Sequence, residues 1–164
     1  MRMSGTPAKT VEAPARFISL GAGAIVAYPQ ATTNAARQAM LGNRSRDTRP
    51  EVLLRSELHR RGLRFRKHLL IETSLRPIRP DIVFTSRRLA IFVDGCFWHG
   101  CPDHGTRPRS NVTYWRAKIE RNRERDWAVC EALQHAGWEV LRVWEHEPIN
   151  RAASVIEDRV RYGD

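Results

Sequence analysis

Polar and apolar positions along this chain change their spacing several times, and each change marks an element. Thr48 followed three residues later by Glu51 reads as a capping box; with Pro50 in the first turn and Gly62 as a stop, it frames a helix over about 49–61. Leu54 and Leu58 mark the buried side of that helix. Residues 63–67 alternate apolar and basic side chains like a short edge strand, and a loop bearing Pro77 and Pro80 follows. Residues 81–84 and 89–94 are apolar, β-rich runs joined by the polar turn Thr85-Ser86-Arg87-Arg88, which predicts a hairpin. Asn111 caps a long helix running to about His135 and closed by Gly137, residues 138–144 form a further strand, and Pro148 precedes a charged helix to about Tyr162. The order helix, strand, hairpin, helix, strand, helix implies an α/β domain with a mixed central sheet and helices on its faces.

Register then decides where the acids go. A turn over Ser86 and Arg87 pairs Phe84 with Leu89, Val83 with Ala90 and Asp81 with Phe92. Period-2 alternation puts Asp94 on the face of Asp81 and diagonal to it, about 7–8 Å between pair positions, close enough for two carboxylates to share a metal ion. A slip of one residue would send them to opposite faces. On the long helix, Trp115, Ile119, Asn122, Asp126, Val129 and Leu133 fall on one stripe, so Asn122 and Asp126 interrupt an apolar face. An inward-facing acid needs a partner, and His99 or a nearby arginine is the candidate for Asp126.

Composition narrows the class. The 164 residues fit one domain, and the first 35, rich in Ala, Thr, Gly and Pro, are expected to form a disordered leader ahead of a single domain over 36–164. Within that leader, the apolar stretch from Ile18 to Tyr28 loosely mimics a signal-peptide core, but Gly21 and Gly23 interrupt it and it is far too short to span a bilayer. No membrane role is expected. Lys and Arg number 28 against 18 Asp and Glu, a formal charge of +10 spread from Arg44 to Arg125, which favours a polyanionic partner over a merely solubilising surface. Three cysteines, two of them five positions apart beside histidines, point to a thiolate metal site in a reducing cytoplasm rather than a disulfide framework.

The chemistry concentrates in I-F-V-D-G-C-F-W-H-G-C-P-D-H, from Ile91 to His104. Cys96, Cys101 and His104 can supply three zinc ligands from one loop, and His146, just after the 138–144 strand, is favoured over the helical Cys130 as the fourth. A closed four-ligand zinc would be structural and would stiffen the loop carrying His99. Asp81 with Asp94 or adjacent backbone oxygens could hold Mg²⁺, and His99 has the chemistry to take a proton from water, although it could instead serve as a ligand. Phe97 and Trp98 are consecutive on this loop, so at least one is expected to be exposed as a wedge that pries apart stacked bases, with Trp115 joining from across the site. Trp138 and Trp144 are expected in the core.

These residues carry a resemblance. The segments R-D-T-R-P-E (46–51), R-P-D-I-V (79–83), I-F-V-D-G-C-F-W-H-G-C (91–101), Y-W-R-A-K-I-E-R-N-R-E-R-D (114–126) and G-W-E-V-L-R-V-W-E (137–145) resemble the very short patch repair endonucleases, from about Asn43 to Pro148. The resemblance implies a fold related to type II restriction endonucleases, a structural zinc, and Mg²⁺-dependent nicking of duplex DNA 5′ to the thymine of a T:G mismatch left by deamination of 5-methylcytosine. It further implies that Asp81 binds metal, His99 is the catalytic base, Glu51 assists the metal shell through water, and Phe97, Trp98 and Trp115 intercalate. Asp126 would then orient or charge His99. A monomer acting on a T:G duplex, with mismatch-repair proteins as partners, is the expected setting. Three positions depart from the family pattern: Asp94 stands in place of a histidine, Val93 in place of a threonine whose backbone oxygen meets metal, and His146 in place of the final zinc cysteine. The Val93 carbonyl can still coordinate, and Asp94 becomes a candidate direct ligand. Two rivals remain at this point, a restriction-like enzyme cutting both strands of matched DNA and a zinc-stapled DNA-binding protein without catalysis.

Overall fold

The computed structural model describes residues 17–20, 24–27, 46–105 and 110–163. The chain divides into a unit over Met1–Gln30 and a larger one over Ala31–Asp164. In the first, β1 (Phe17–Leu20) and β2 (Ala24–Ala27) pair antiparallel, with Phe17 opposite Ala27. These strands fall within the apolar stretch of the expected leader, and the rest of that leader lies outside the described residues.

The larger unit runs α1 (Arg49–Arg60), β3 (Arg66–Lys67), β4 (Ile82–Phe84), β5 (Leu89–Asp94), α2 (Val112–His135), β6 (Glu139–Trp144) and α3 (Ile149–Tyr162). Its sheet has the order β3-β4-β5-β6, antiparallel across the first two joints and parallel across the last. The parallel joint requires a long crossover, which α2 supplies. The hairpin register is the expected one, with Phe84 opposite Leu89 and Val83 opposite Ala90. Its connection is a single 3-10 turn, Thr85–Arg87, closed by Arg88 in the left-handed region.

All three residues of β4 are buried, because helices cover both faces of the sheet. One face presents Ile82, Phe84, Leu89 and Ile91 to Leu54 and Leu58 of α1 and to Ala152, Ala153 and Ile156 of α3. The other presents Val83 and Ala90 to Val129, Ala132 and Leu133 of α2, joined by Ile71 and Ile78 from the proline loop. The sheet therefore separates two apolar clusters.

Helix ends explain the two shortened strands. At the end of α1, Gly62 N–H donates to His59 O at 2.9 Å and Leu63 N–H to Leu58 O at 3.0 Å, with Gly62 at φ +80°, a Schellman closure. Leu63 is thus consumed by the helix stop and the core, and only Arg66 and Lys67 of the expected 63–67 strand pair with β4. Trp138 is held in the same way by Leu133 O at 2.9 Å, so β6 opens at Glu139.

Leu58 is fully buried between α1, α3 and the sheet, so Leu58→Ala is expected to destabilise the fold by about 2–5 kcal/mol. Urea unfolding measures it: the midpoint should fall with the slope unchanged, and a loss under roughly 1 kcal/mol would contradict this packing.

Candidate active site

The chain leaves the sheet at Asp94 and doubles back immediately. Trp98 and His99 both donate their N–H to Gly95 O, at 3.1 and 3.2 Å, and Cys101 N–H donates to Cys96 O at 2.9 Å. Gly100 lies at φ +64°, and a Cβ there would sit 2.9 Å from Ile119 Cγ2, so the loop approaches α2 at a distance only glycine allows. Asn122 answers for its place on the inward stripe of α2: its amide donates to Trp98 O at 2.8 Å and pins the loop to the helix.

A cleft of about 1300 Å³ opens beside this loop, and Glu51, Asp81, Val93, Asp94, His99 and Asp126 all line it. Asp81 donates its N–H to Ile91 O at 3.0 Å, and its Oδ2 accepts from Val93 N–H at 2.8 Å. Burial pushes its carboxyl up to about 6; the Val93 N–H works against that rise, and repulsion from Glu51 and Asp94 adds to it. His99 Nδ1 is bound to Asp126 Oδ2, which leaves Nε2 as the ring nitrogen able to exchange a proton. Burial opposes the charge of Asp126, but His99, Arg142 and Arg125 outweigh it and hold the carboxyl below its usual range. Both partners expected for Asp126, a histidine and an arginine, are therefore present at once.

Asp94 does share a face with Asp81, but its two oxygens are taken by Arg142, from Nη2 to Oδ1 and Nε to Oδ2, each at 2.6 Å. Asp94 is 5% exposed, and this bidentate ion pair is how its buried charge is satisfied. Burial works against the Arg142 charge, yet Asp94 and Asp126 together raise its pKa above the usual arginine value.

Glu51 is 3% exposed and braced from three sides. It accepts from Thr48 Oγ1 at 2.8 Å and from Asp47 N–H at 3.0 Å, while Arg55 Nη1 stands 3.4 Å away. The capping box is thus realised through the Thr48 hydroxyl, which donates to the carboxylate instead of accepting from the helix. Asp47, Glu51 and His68 bring donor atoms within 4.8 Å of one another, but Arg55 and Lys67 already pair with Asp47, so this group reads as an ion-pair cluster that holds Glu51.

At the far side of the loop, Cys96, Cys101, His104 and His146 place one donor atom each within 4.8 Å of all the others. Cys96 Sγ lies 3.0 Å and Cys101 Sγ 3.6 Å from His146 Nδ1. Cys130 stays apart, with its sulfur 3.9 Å from Arg142 Nη1. Burial and the neighbouring Cys101 push the Cys96 thiol up to about 11, a deficit of positive charge that a bound cation would reverse. Glu145, just past β6, accepts Cys96 N–H at 2.6 Å and ties the loop to the last strand.

The aromatics depart from expectation. Phe97, Trp98 and Trp115 are all partly buried, because they pack edge to face at centroid distances of 5.1–5.8 Å, each ring covering the others. Lys118 Nζ sits 5.3 Å from the Trp98 ring centre and 5.5 Å from that of Trp115. Trp138 and Trp144 are both only partly buried; Trp138 packs against the second apolar cluster, and Trp144 stacks on His146. Sequence reasoning missed Arg142 and Glu145. The signal for Arg142 was a lone cation inside the apolar run V-L-R-V-W.

The chain is similar to known proteins over most of its length. The family described as DNA mismatch endonuclease Vsr matches residues 30–104. Type II nicking enzyme V.NaeI of Lentzea aerocolonigenes is 48% identical over 137 residues, covering 82% of this chain and 82% of the relative. Type II nicking enzyme V.XorIIP of Xanthomonas oryzae pv. oryzae is 47% identical over 129 residues, covering 76% and 88%. The DNA mismatch endonuclease Vsr of Escherichia coli is 40% identical over 102 residues, covering 62% and 63%.

The raised carboxyl of Asp81 has a measurable sign. A folded-state value near 6 against 3.8 unfolded means the folded state holds that proton more tightly, so this contribution to stability is present below pH 4 and lost as pH rises through 6. Without divalent metal, Asp81→Asn is expected to raise the melting temperature at pH 8, by the equivalent of about 2–3 kcal/mol, and to change little at pH 4. Calorimetry at the two pH values checks this, and equal shifts at both would contradict it.

Proposed function

Because the chain belongs to the Vsr family of DNA endonucleases, we propose that it nicks one strand of duplex DNA 5′ to the thymine of a T:G mismatch, with Mg²⁺ in the acidic cleft and zinc in the Cys/His cluster. The observation that carries the reading is the convergence of Asp81, Glu51 and the His99–Asp126 pair in one cleft beside a cluster of three aromatic rings. The sheet between two helical layers supports the kinship to type II restriction endonucleases.

The residues fit the two ions. Asp81 and the Val93 carbonyl are hard oxygen donors for Mg²⁺, with Glu51 acting through coordinated water, and a cation would offset the burial, and the lesser repulsion from Glu51 and Asp94, that lift the Asp81 carboxyl. Bound there, Mg²⁺ would place positive charge on the scissile phosphate. Two thiolates and two imidazoles suit zinc in a closed tetrahedral site, which holds the His99 loop rather than taking part in hydrolysis.

His99 draws a proton from the attacking water through Nε2, since Asp126 fixes Nδ1 and sets the tautomer. Arg46, Arg49, Arg76 and Arg79 rim the cleft and would meet the phosphate backbone, giving binding that weakens with salt. Phe97, Trp98 and Trp115 would open as a unit and stack beside the mismatched pair, paying for the lost ring contacts with base stacking. Nicking is favoured over cutting of both strands because V.NaeI and V.XorIIP are named nicking enzymes. The relatives are endonucleases, which sets aside a purely binding role.

Asp81→Ala and His99→Ala are each expected to slow nicking of a T:G duplex at least about 100-fold while duplex binding persists, and matched duplex should stay intact. Variants that nick at the parent rate would remove these assignments. A strong chelator should lower the melting temperature and stop nicking, and Mg²⁺ alone should not restore activity until Zn²⁺ is returned. Full recovery with Mg²⁺ alone would argue against a structural zinc.

A further inference from the structure

Arg142 has no role in the reading so far, yet it touches more of the site than any acid in it. Its place is set by the parallel joint, where Phe92 is opposite Arg142 and Asp94 opposite Trp144. From there the guanidinium lies over the Phe92 ring at 5.2 Å, holds both oxygens of Asp94 at 2.6 Å, and reaches Asp126 Oδ2 at 3.2 Å. That Asp126 oxygen is the one bound to His99 Nδ1, while Asp94 Oδ1 stands 3.8 Å from the same nitrogen. Two carboxylates therefore face one imidazole nitrogen, and a single guanidinium spans both.

The arithmetic of charge explains the arrangement. One carboxylate behind a histidine orients it; a second at 3.8 Å, buried and unpaired, would compete with the first for Nδ1 and repel it. With Arg142 in place, the two acids and the guanidinium carry together the charge of one carboxylate. The remaining charged groups near His99, Arg123 and Arg125 on α2, Lys118, and Glu145 past β6, line the same cleft or the pocket beside it, and Arg125 Nη2 reaches Asp126 at 3.7 Å. Asp94 meets Arg142 with both oxygens, so the compensation is specific to that pair.

We propose that Arg142 is a positioning residue for strand cleavage: it ties Asp94 and Asp126 into one network that fixes His99 and keeps the Asp94 carboxylate from competing for its ring. This rests on His99 acting as the base. It also accounts for an acid at position 94, since Asp94 is acceptable there only with a cation at 142.

The experiment is a charge-rescue cycle on the full chain, reading single-turnover nicking of a labelled T:G duplex with Mg²⁺, duplex affinity, and melting temperature. Arg142→Leu should lose roughly 100-fold in rate with affinity for the duplex kept. Adding Asp94→Asn, which removes the partner charge while preserving its shape, should recover at least about tenfold of that rate and raise the melting temperature above that of Arg142→Leu. If Arg142→Leu does not fold, recovery of both folding and nicking in the double variant carries the same conclusion. The proposal is overturned if Arg142→Leu nicks at the parent rate, or if the double variant is no faster and no more stable than the single. His99→Ala separates the two readings: were it fully active, the base assignment itself would fall, whereas an inactive His99→Ala beside an active Arg142→Leu sinks only the role of Arg142.

Discussion

The parallel pairing of β5 with β6 is the constraint from which the rest of the site takes its positions. β5 ends in Asp94 and feeds the Gly95–Gly100 turn; β6 ends in Trp144 and feeds Glu145 and His146. Because the strands run in the same direction, both chain exits emerge at the same edge of the sheet, and groups 45–50 residues apart in sequence meet there. Glu145 N–H donates to Asp94 O at 2.9 Å, continuing the ladder one step beyond the strand and fixing the two exits to each other. The Cys/His cluster, the Asp94–Arg142 pair and the Cys96–Glu145 hydrogen bond all depend on that register. Slippage by one residue would turn Arg142 to the opposite face and leave Asp94 buried against nothing.

Electrostatics divides the molecule into two regimes. The chain as a whole carries a formal charge of +10, suited to a phosphate backbone, while the cleft gathers Glu51, Asp81, Asp94 and Asp126. Three of these acids are satisfied internally, Glu51 by Thr48, Asp47 N–H and Arg55, Asp94 by Arg142, and Asp126 by His99. Asp81 is different. Burial, with a smaller push from its acidic neighbours, lifts its carboxyl against the one backbone hydrogen bond it receives. Among the described residues, cationic groups thus pair with the other acids of the cleft, while Asp81, the proposed metal ligand, accepts from a backbone N–H.

Much of this was legible in the sequence, and the limits are instructive. Among the described residues, periodicity located the three α-helices and the hairpin, because each carries a boundary signal: Gly62, the Thr85–Arg88 turn, Gly137 and Pro148. Close spacing revealed Cys96, Cys101 and His104, and the isolated donor after a strong strand revealed His146. Sequence reading went astray where the answer lay in a non-local partner. The ion pair of Asp94 stayed hidden since Arg142 is 48 residues away, and only the crossover through α2 brings them together. Phe97 and Trp98 looked like exposed wedges because the ring that covers them, Trp115, comes from another element. The shortened β3 follows from a competition that pattern alone does not resolve, between pairing in the sheet and closing the preceding helix.

The split origin of the Cys/His cluster bears on how the molecule is made. Three donors belong to the loop after β5, and the fourth arrives only after the whole of α2 and β6 has followed. A nascent chain leaving the ribosome therefore carries an incomplete set of donors, and lacks Arg142 as well, until the segment from residue 142 to 146 has been added. The cleft and the cluster can therefore be completed only once both strands of the parallel joint exist, which ties the building of the site to the closing of the sheet.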